Sequence, residues 1–200
     1  IQKGAQHLEA WRVPEAAEVI SQLTRESTEA LDVLDLQAQL AFYQGKYAEA
    51  FRIAEKALAL ESASEERQSM RLLAQQTRDT VGTLKRFESE HFTLFLNEEE
   101  DGILVPWLLE GLEKSYKAIG EELGFYPKEK VRVEIAPDVA SFNAISTLSL
   151  RDIEETGAVG ICKFNKVMAI SPRTLSHGYR WQDSLSHEYL HYVIVAVSNN

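Results

Sequence analysis

Along roughly the first 85 residues apolar positions recur every three or four places, β-branched clusters are sparse, and Ala, Leu, Glu and Gln dominate. That periodicity predicts helices and no strand. Ser62-Ala63-Ser64-Glu65 reads as a capping box opening a closing helix over residues 64–87, with Leu72, Leu73, Val81 and Leu84 among its apolar positions. From Glu90 the pattern changes to period two: His91-Phe92-Thr93-Leu94-Phe95-Leu96 alternates like a strand and runs into an acidic turn at residues 97–102. Residues 103–124 then return to helical spacing, with Trp107, Leu108, Leu112, Tyr116 and Ile119 on a prospective core face and Gly124 as the stop. Val131-Arg132-Val133-Glu134-Ile135 alternates as a strand, and Asp138 caps a short helix through Phe142 and Ile145. Two strands over residues 158–164 and 167–171 are joined by Asn165-Lys166 in a predicted hairpin, and a last helix covers residues 181–197. The fold class that follows is α+β, with an all-helical part at residues 1–86 and a mixed part at 87–200, the boundary lying near residues 86–89.

The helical part repeats. Val13-Pro14-Glu15-Ala16 and Tyr47-Ala48-Glu49-Ala50 hold equivalent places in two amphipathic helices 34 positions apart, the period of the tetratricopeptide repeat. In the second copy Ala38, Ala41, Gly45, Tyr47, Ala50, Ala54 and Ala57 put small residues where antiparallel helices must approach, with Gly45 and Lys46 at the turn. This copy resembles a tetratricopeptide unit. The first copy matches in part, because Trp11 stands where the turn glycine belongs. The resemblance implies a protein partner or substrate bound by the repeats; two generic helical hairpins are the competing reading.

Composition narrows the partners. Of 200 residues, 44% are hydrophobic and 26% charged, which is enough to bury a core. Acidic residues outnumber basic ones 31 to 21, a net charge of −10, which disfavours nucleic acid and anionic membrane as partners, since both reward positive surface. Glu98-Glu99-Glu100-Asp101 reads as a solvated loop. No run of about 18 apolar residues predicts a membrane span. One cysteine, Cys162, rules out an intrachain disulfide framework and a Cys-rich zinc knuckle. The chain starts at Ile1, so localisation is open: a removed signal peptide would place it in the cell envelope or outside the cytoplasm, and an internal start would not.

The chemistry is concentrated in the last helix. His187-Glu188-Tyr189-Leu190-His191 sets two imidazoles one helical turn apart, on one face, where both can donate to a single zinc ion. Glu188 lies one step round, placed for a general base that takes a proton from an attacking water rather than for a ligand. Tyr189, Leu190, Tyr192, Val193, Ile194, Val195 and Val197 make the helix apolar nearly all round, so burial of the whole helix is expected, and a buried His pair needs a partner. Asp183 is either an orienting acceptor for His187 or a first-turn acid favouring the helix dipole. The competing reading has the three motif residues satisfying one another or facing solvent. Catalytic zinc ordinarily takes three protein ligands. Ile194 and Val197 stand where a metzincin has Gly and His, excluding that arrangement, and His7, His91 and His177 have no supporting spacing.

Residues 91–200 resemble the front half of a gluzincin domain of the peptidase MA-like kind, a thermolysin-related family found behind tetratricopeptide repeats in bacterial proteins. The resemblance rests on His91-Phe92-Thr93-Leu94, Thr156-Gly157-Ala158-Val159-Gly160, Ala169-Ile170-Ser171-Pro172 and, most specifically, Ser186-His187-Glu188-Tyr189-Leu190-His191. It implies a zinc metallopeptidase with His187 and His191 as metal ligands, Glu188 as catalytic base, and an edge strand near residues 157–164 that pairs with extended substrate backbone. It also implies a third ligand, a glutamate on a following helix, which is expected beyond Asn200; the chain is thus expected to be a truncated polypeptide. The alternative function is a protein-interaction module whose zincin-like part is not catalytic.

Overall fold

The computed structural model describes residues 1–26 and 30–198. Its contacts divide the chain into two units, Ile1–Asp79 and Thr80–Ser198.

The first unit is helical, with α1 at Gln2–Glu9, α2 at Val13–Glu26, α3 at Leu31–Tyr43, α4 at Tyr47–Leu60 and α5 beginning Glu65–Val81. The helix ends recur. α1 and α3 stop at Glu9 and Tyr43, α2 and α4 start at Val13 and Tyr47 and stop at Glu26 and Leu60, and α3 and α5 start at Leu31 and Glu65, each pair 34 positions apart. The α1–α2 turn carries Trp11 at φ 54° and the α3–α4 turn carries Gly45 at φ 72°. Small residues set the packing: Leu34, Ala38, Ile53, Ala54 and Ala57 form one buried cluster with Met70 against it, and Leu8, Ala16, Ile20 and Leu36 form another. Ser64, not Ser62, caps α5, its Oγ accepting the Arg67 N–H at 3.3 Å. α5 ends at Val81 rather than at residue 87, because the chain straightens into a strand four residues later.

The second unit holds β1 Lys85–Glu88, β2 Phe92–Leu96, α6 Glu98–Asp101, α7 Val105–Leu123, β3 Val131–Ala136, α8 Val139–Ser146, α9 Leu150–Thr156, β4 Gly160–Lys163, β5 Lys166–Ile170 and α10 Trp181–Ser198. They build one five-stranded mixed sheet in the order β1-β2-β3-β5-β4. β2, β3 and β5 are parallel, while β1 and β4 run antiparallel at the two edges. The period-two pattern puts Phe92, Leu94 and Leu96 with Val131, Val133 and Ile135 on a common buried face. The α+β class is thereby met. The side chains of Arg132, Glu134 and Lys166 share the opposite face, where Lys166 Nζ lies 2.6 Å from Glu134 Oε2 with both buried.

Several local expectations are corrected. The acidic run is not a loop: Asn97 caps α6 by accepting the Glu99 N–H, and Asp101 is buried, with the Ser171 hydroxyl donating to it at 2.7 Å. α7 starts later than residue 103, with Pro106 in its first turn, and Trp107 is 58% exposed while Leu108 and Leu112 carry the core. The hairpin turn is Phe164-Asn165, both at positive φ (56° and 59°), one residue earlier than expected; two left-handed residues suit the right-handed twist of a two-residue hairpin. Asp138 and Gly124 do cap α8 and α7. No described helix is long and apolar enough to cross a membrane.

Candidate functional site

α10 packs on α7, β4 and β5 through Leu185, Tyr189, Tyr192 and Val193, all buried. Tyr189 stands edge-on to Phe92 of β2, ring centroids 5.3 Å apart. Ser186 Oγ lies 2.6 Å from Ser115 Oγ of α7, and this contact sets the rotation of the helix. The result is that one stripe, containing His187, His191 and Ile194, faces outward. The expectation of a helix buried all round is therefore corrected: its apolar character is spread wider than the surface its neighbours cover, and both imidazoles are exposed.

The four-residue spacing brings the imidazoles together. His187 Nε2 and His191 Nε2 are 2.9 Å apart, with ring centroids at 4.5 Å and planes at 85°. Two ring nitrogens facing each other need a proton or a cation between their lone pairs. Nitrogens each about 2.0–2.1 Å from a shared tetrahedral ion would stand about 3.3 Å apart, which a small rotation of either ring reaches. These two donors fit zinc. Among the described residues no group of three His, Cys, Asp or Glu side chains is placed to hold a metal.

Glu188 turns away from that stripe toward β4. It is half-buried and lies against β4, where a Cβ on Gly160 would stand 2.9 Å from its Cγ. Burial pushes the Glu188 carboxyl above its ordinary value, and His191, His187 and the Cys162 amide pull part of the way back. A raised carboxyl next to two imidazoles suits proton transfer. Cys162 itself is a free, half-buried thiol, and burial and then the nearby Glu188 push its titration upward, so it is no nucleophile at neutral pH.

The edge position of β4 decides which of its backbone groups are open. Ile170 N–H donates to Val159 O at 2.9 Å, so residues 159, 161 and 163 bond β5 and the N–H and C=O of Gly160 and Cys162 point outward. Gly160 also adjoins Glu188: a Cβ there would stand 2.9 Å from Glu188 Cγ. The sequence placed Gly160 in the motif ahead of the hairpin and residues 157–164 on the edge strand, but not Gly160 beside Glu188; counting back from the two-residue turn gives the phase of the hairpin and with it the outward groups.

The other candidates fall elsewhere. Asp183 pairs with Arg180 at 2.6 Å in the first turn of α10, which makes it the first-turn acid rather than the orienter of His187. His91 is held by Glu113, Nδ1 to Oε2 at 2.7 Å, and stacks on Tyr116. His177 is exposed ahead of α10, and His7 sits in the last turn of α1. No protein-family model, curated protein or solved structure matches the chain.

Proposed function

We propose that residues 80–198 carry the active-site helix and edge strand of a zinc-dependent metallopeptidase of the gluzincin type. The observation that carries this reading is the convergence of His187 and His191 Nε2 at 2.9 Å with Glu188 seated beside them against an open sheet edge. His187 and His191 would hold the ion, and the reading requires a third protein ligand that the described residues do not supply. Zinc, when bound, acidifies water and polarises a peptide carbonyl. Glu188 accepts the proton of the attacking water and returns it to the leaving amine nitrogen. An extended peptide would align along β4 through the outward N–H and C=O groups of Gly160 and Cys162. The substrate class is thus unfolded peptide.

The test is zinc titration together with cleavage of an unstructured peptide. Wild-type chain binds zinc, and His187→Ala and His191→Ala each weaken binding by about tenfold or more. Glu188→Gln keeps the metal and lowers turnover by about 10²-fold or more. Zinc affinity unchanged in the double histidine variant, or full turnover in Glu188→Gln, overturns the reading.

A second reading attaches to the first unit. The 34-residue recurrence of helix ends, with positive φ at Trp11 and Gly45, favours tetratricopeptide-like repeats that bind a protein partner. In that reading the zincin-like unit is non-catalytic, and zinc-loaded protein leaves every peptide uncut.

A further inference from the structure

We propose that a second copy of this chain completes the zinc site: the outward stripes of two α10 helices meet across a two-fold axis, and the four imidazoles of two His187–His191 pairs close around one shared ion. The inference rests on the zinc assignment of the metallopeptidase reading and not on its catalysis.

Three observations combine. His187 and His191 Nε2 converge at 2.9 Å on an exposed face of α10, so an ion between them is open to a second molecule. Two imidazoles fill half of a tetrahedral site, and among the described residues no group of three His, Cys, Asp or Glu side chains is placed to hold a metal. A two-fold axis through the ion supplies two more imidazoles at once, because the same patch then meets itself. The third observation is what flanks the pair. One turn on, Ile194 is 46% exposed, an apolar side chain that gains from cover. One turn back, Asp183 pairs with Arg180 at 2.6 Å, so this acid comes to its copy already neutralised.

Tetrahedral geometry limits how the helices meet. The two nitrogens of one chain mark one edge of the tetrahedron, directed mostly along α10 because the histidines stand one turn apart. The opposite edge belongs to the partner copy and is perpendicular to the first. The two α10 helices therefore cross steeply, and contact is confined to about one turn on either side of the histidines. So short a contact buries far less than the roughly 1,200 Å² of a stable interface. Each chain also carries a net charge of −10, which repels its copy. The ion is thus what holds the pair, and dimerisation depends on metal. An ion held by four imidazoles keeps no open position, so the dimer is a closed, inert form of the site in which one zinc serves two chains.

Sedimentation of the full chain, with bound zinc measured in each species, tests this. Metal-free chain sediments as a monomer. At half an equivalent of zinc it becomes a dimer with one ion per two chains, and EDTA returns it to monomer. His187→Ala and His191→Ala, both at exposed positions, keep the circular dichroism of the wild type and lose the zinc-dependent dimer. Ile194→Lys keeps both imidazoles and weakens dimerisation by about tenfold or more, because it brings two ammonium groups to one small contact. A chain that binds zinc through His187 and His191 yet stays monomeric at every ratio overturns the proposal and leaves the peptidase reading standing. A dimer that forms without zinc, holds one ion per chain or persists in both histidine variants also overturns it, because another surface would then join the copies. Failure to bind zinc at all overturns this proposal and the metallopeptidase reading together.

Discussion

Trp11 and Gly45 hold the same left-handed turn in successive hairpins, at φ 54° and 72° and 34 positions apart. Only glycine takes that conformation without a steric penalty, so Trp11 carries backbone strain that Gly45 does not. Replacing Gly45 with Ala should cost about 1 kcal/mol, and Gly45→Asn less, since a short polar side chain tolerates the region. Native-state hydrogen exchange of α3 and α4 amides measures it. An Ala variant as protected as wild type would show that the turn relaxes out of the left-handed region.

The two hairpins illustrate what sequence could reveal. Ala38, Ala54 and Ala57 at helical spacing announced α3 and α4, and the second hairpin identified the first despite Trp11. The alternation of Val131 to Ile135, the cap at Asp138 and the stop at Gly124 were equally legible, because each is a local preference. β1 was not. Lys-Arg-Phe-Glu is almost wholly exposed and becomes a strand only by pairing with β2, a nonlocal contact that leaves no periodicity in so short a run. α9 was passed over although Ser149 and Asp152 form a reciprocal capping box. At the site, the spacing of His187 and His191 specified their convergence, whereas the direction α10 faces depends on Ser115, Tyr189 and Phe92, which are distant in sequence.

Acid should weaken the second unit at Glu113. Its carboxylate accepts the His91 backbone N–H at 2.9 Å and meets His91 Nδ1 at 2.7 Å. Burial alone would raise its titration, but the contacts from Ser89 and His91 outweigh it, and the folded-state value lies below the ordinary one. A depressed carboxyl contributes stability that is full above the unfolded value of about 4.3 and disappears as pH falls through the folded value. Urea unfolding of the wild type should therefore lose stability below about pH 4. Glu113→Gln should be less stable at neutral pH and show a shallower acid slope. Parallel pH profiles for the two proteins would remove Glu113 from the account.

The Glu134–Lys166 pair tests whether the face of the sheet opposite Phe92 depends on charge. Both side chains are buried, with Arg132 beside Glu134 and stacked 3.8 Å over the Phe95 ring. Burial drives the Lys166 ammonium toward its neutral form, and Glu134 opposes that shift. Removing one partner of a buried pair costs about 3 kcal/mol or more, whereas apolar replacement of both is often close to neutral, because desolvation of two charges offsets much of their attraction. Glu134→Leu and Lys166→Met should each lower the unfolding midpoint strongly, and the double variant should recover much of the loss, provided Arg132, only partly buried, extends to water. A double-mutant cycle by urea unfolding reads the coupling. Additive losses would mean that the two side chains are held by other neighbours and that their 2.6 Å contact contributes little.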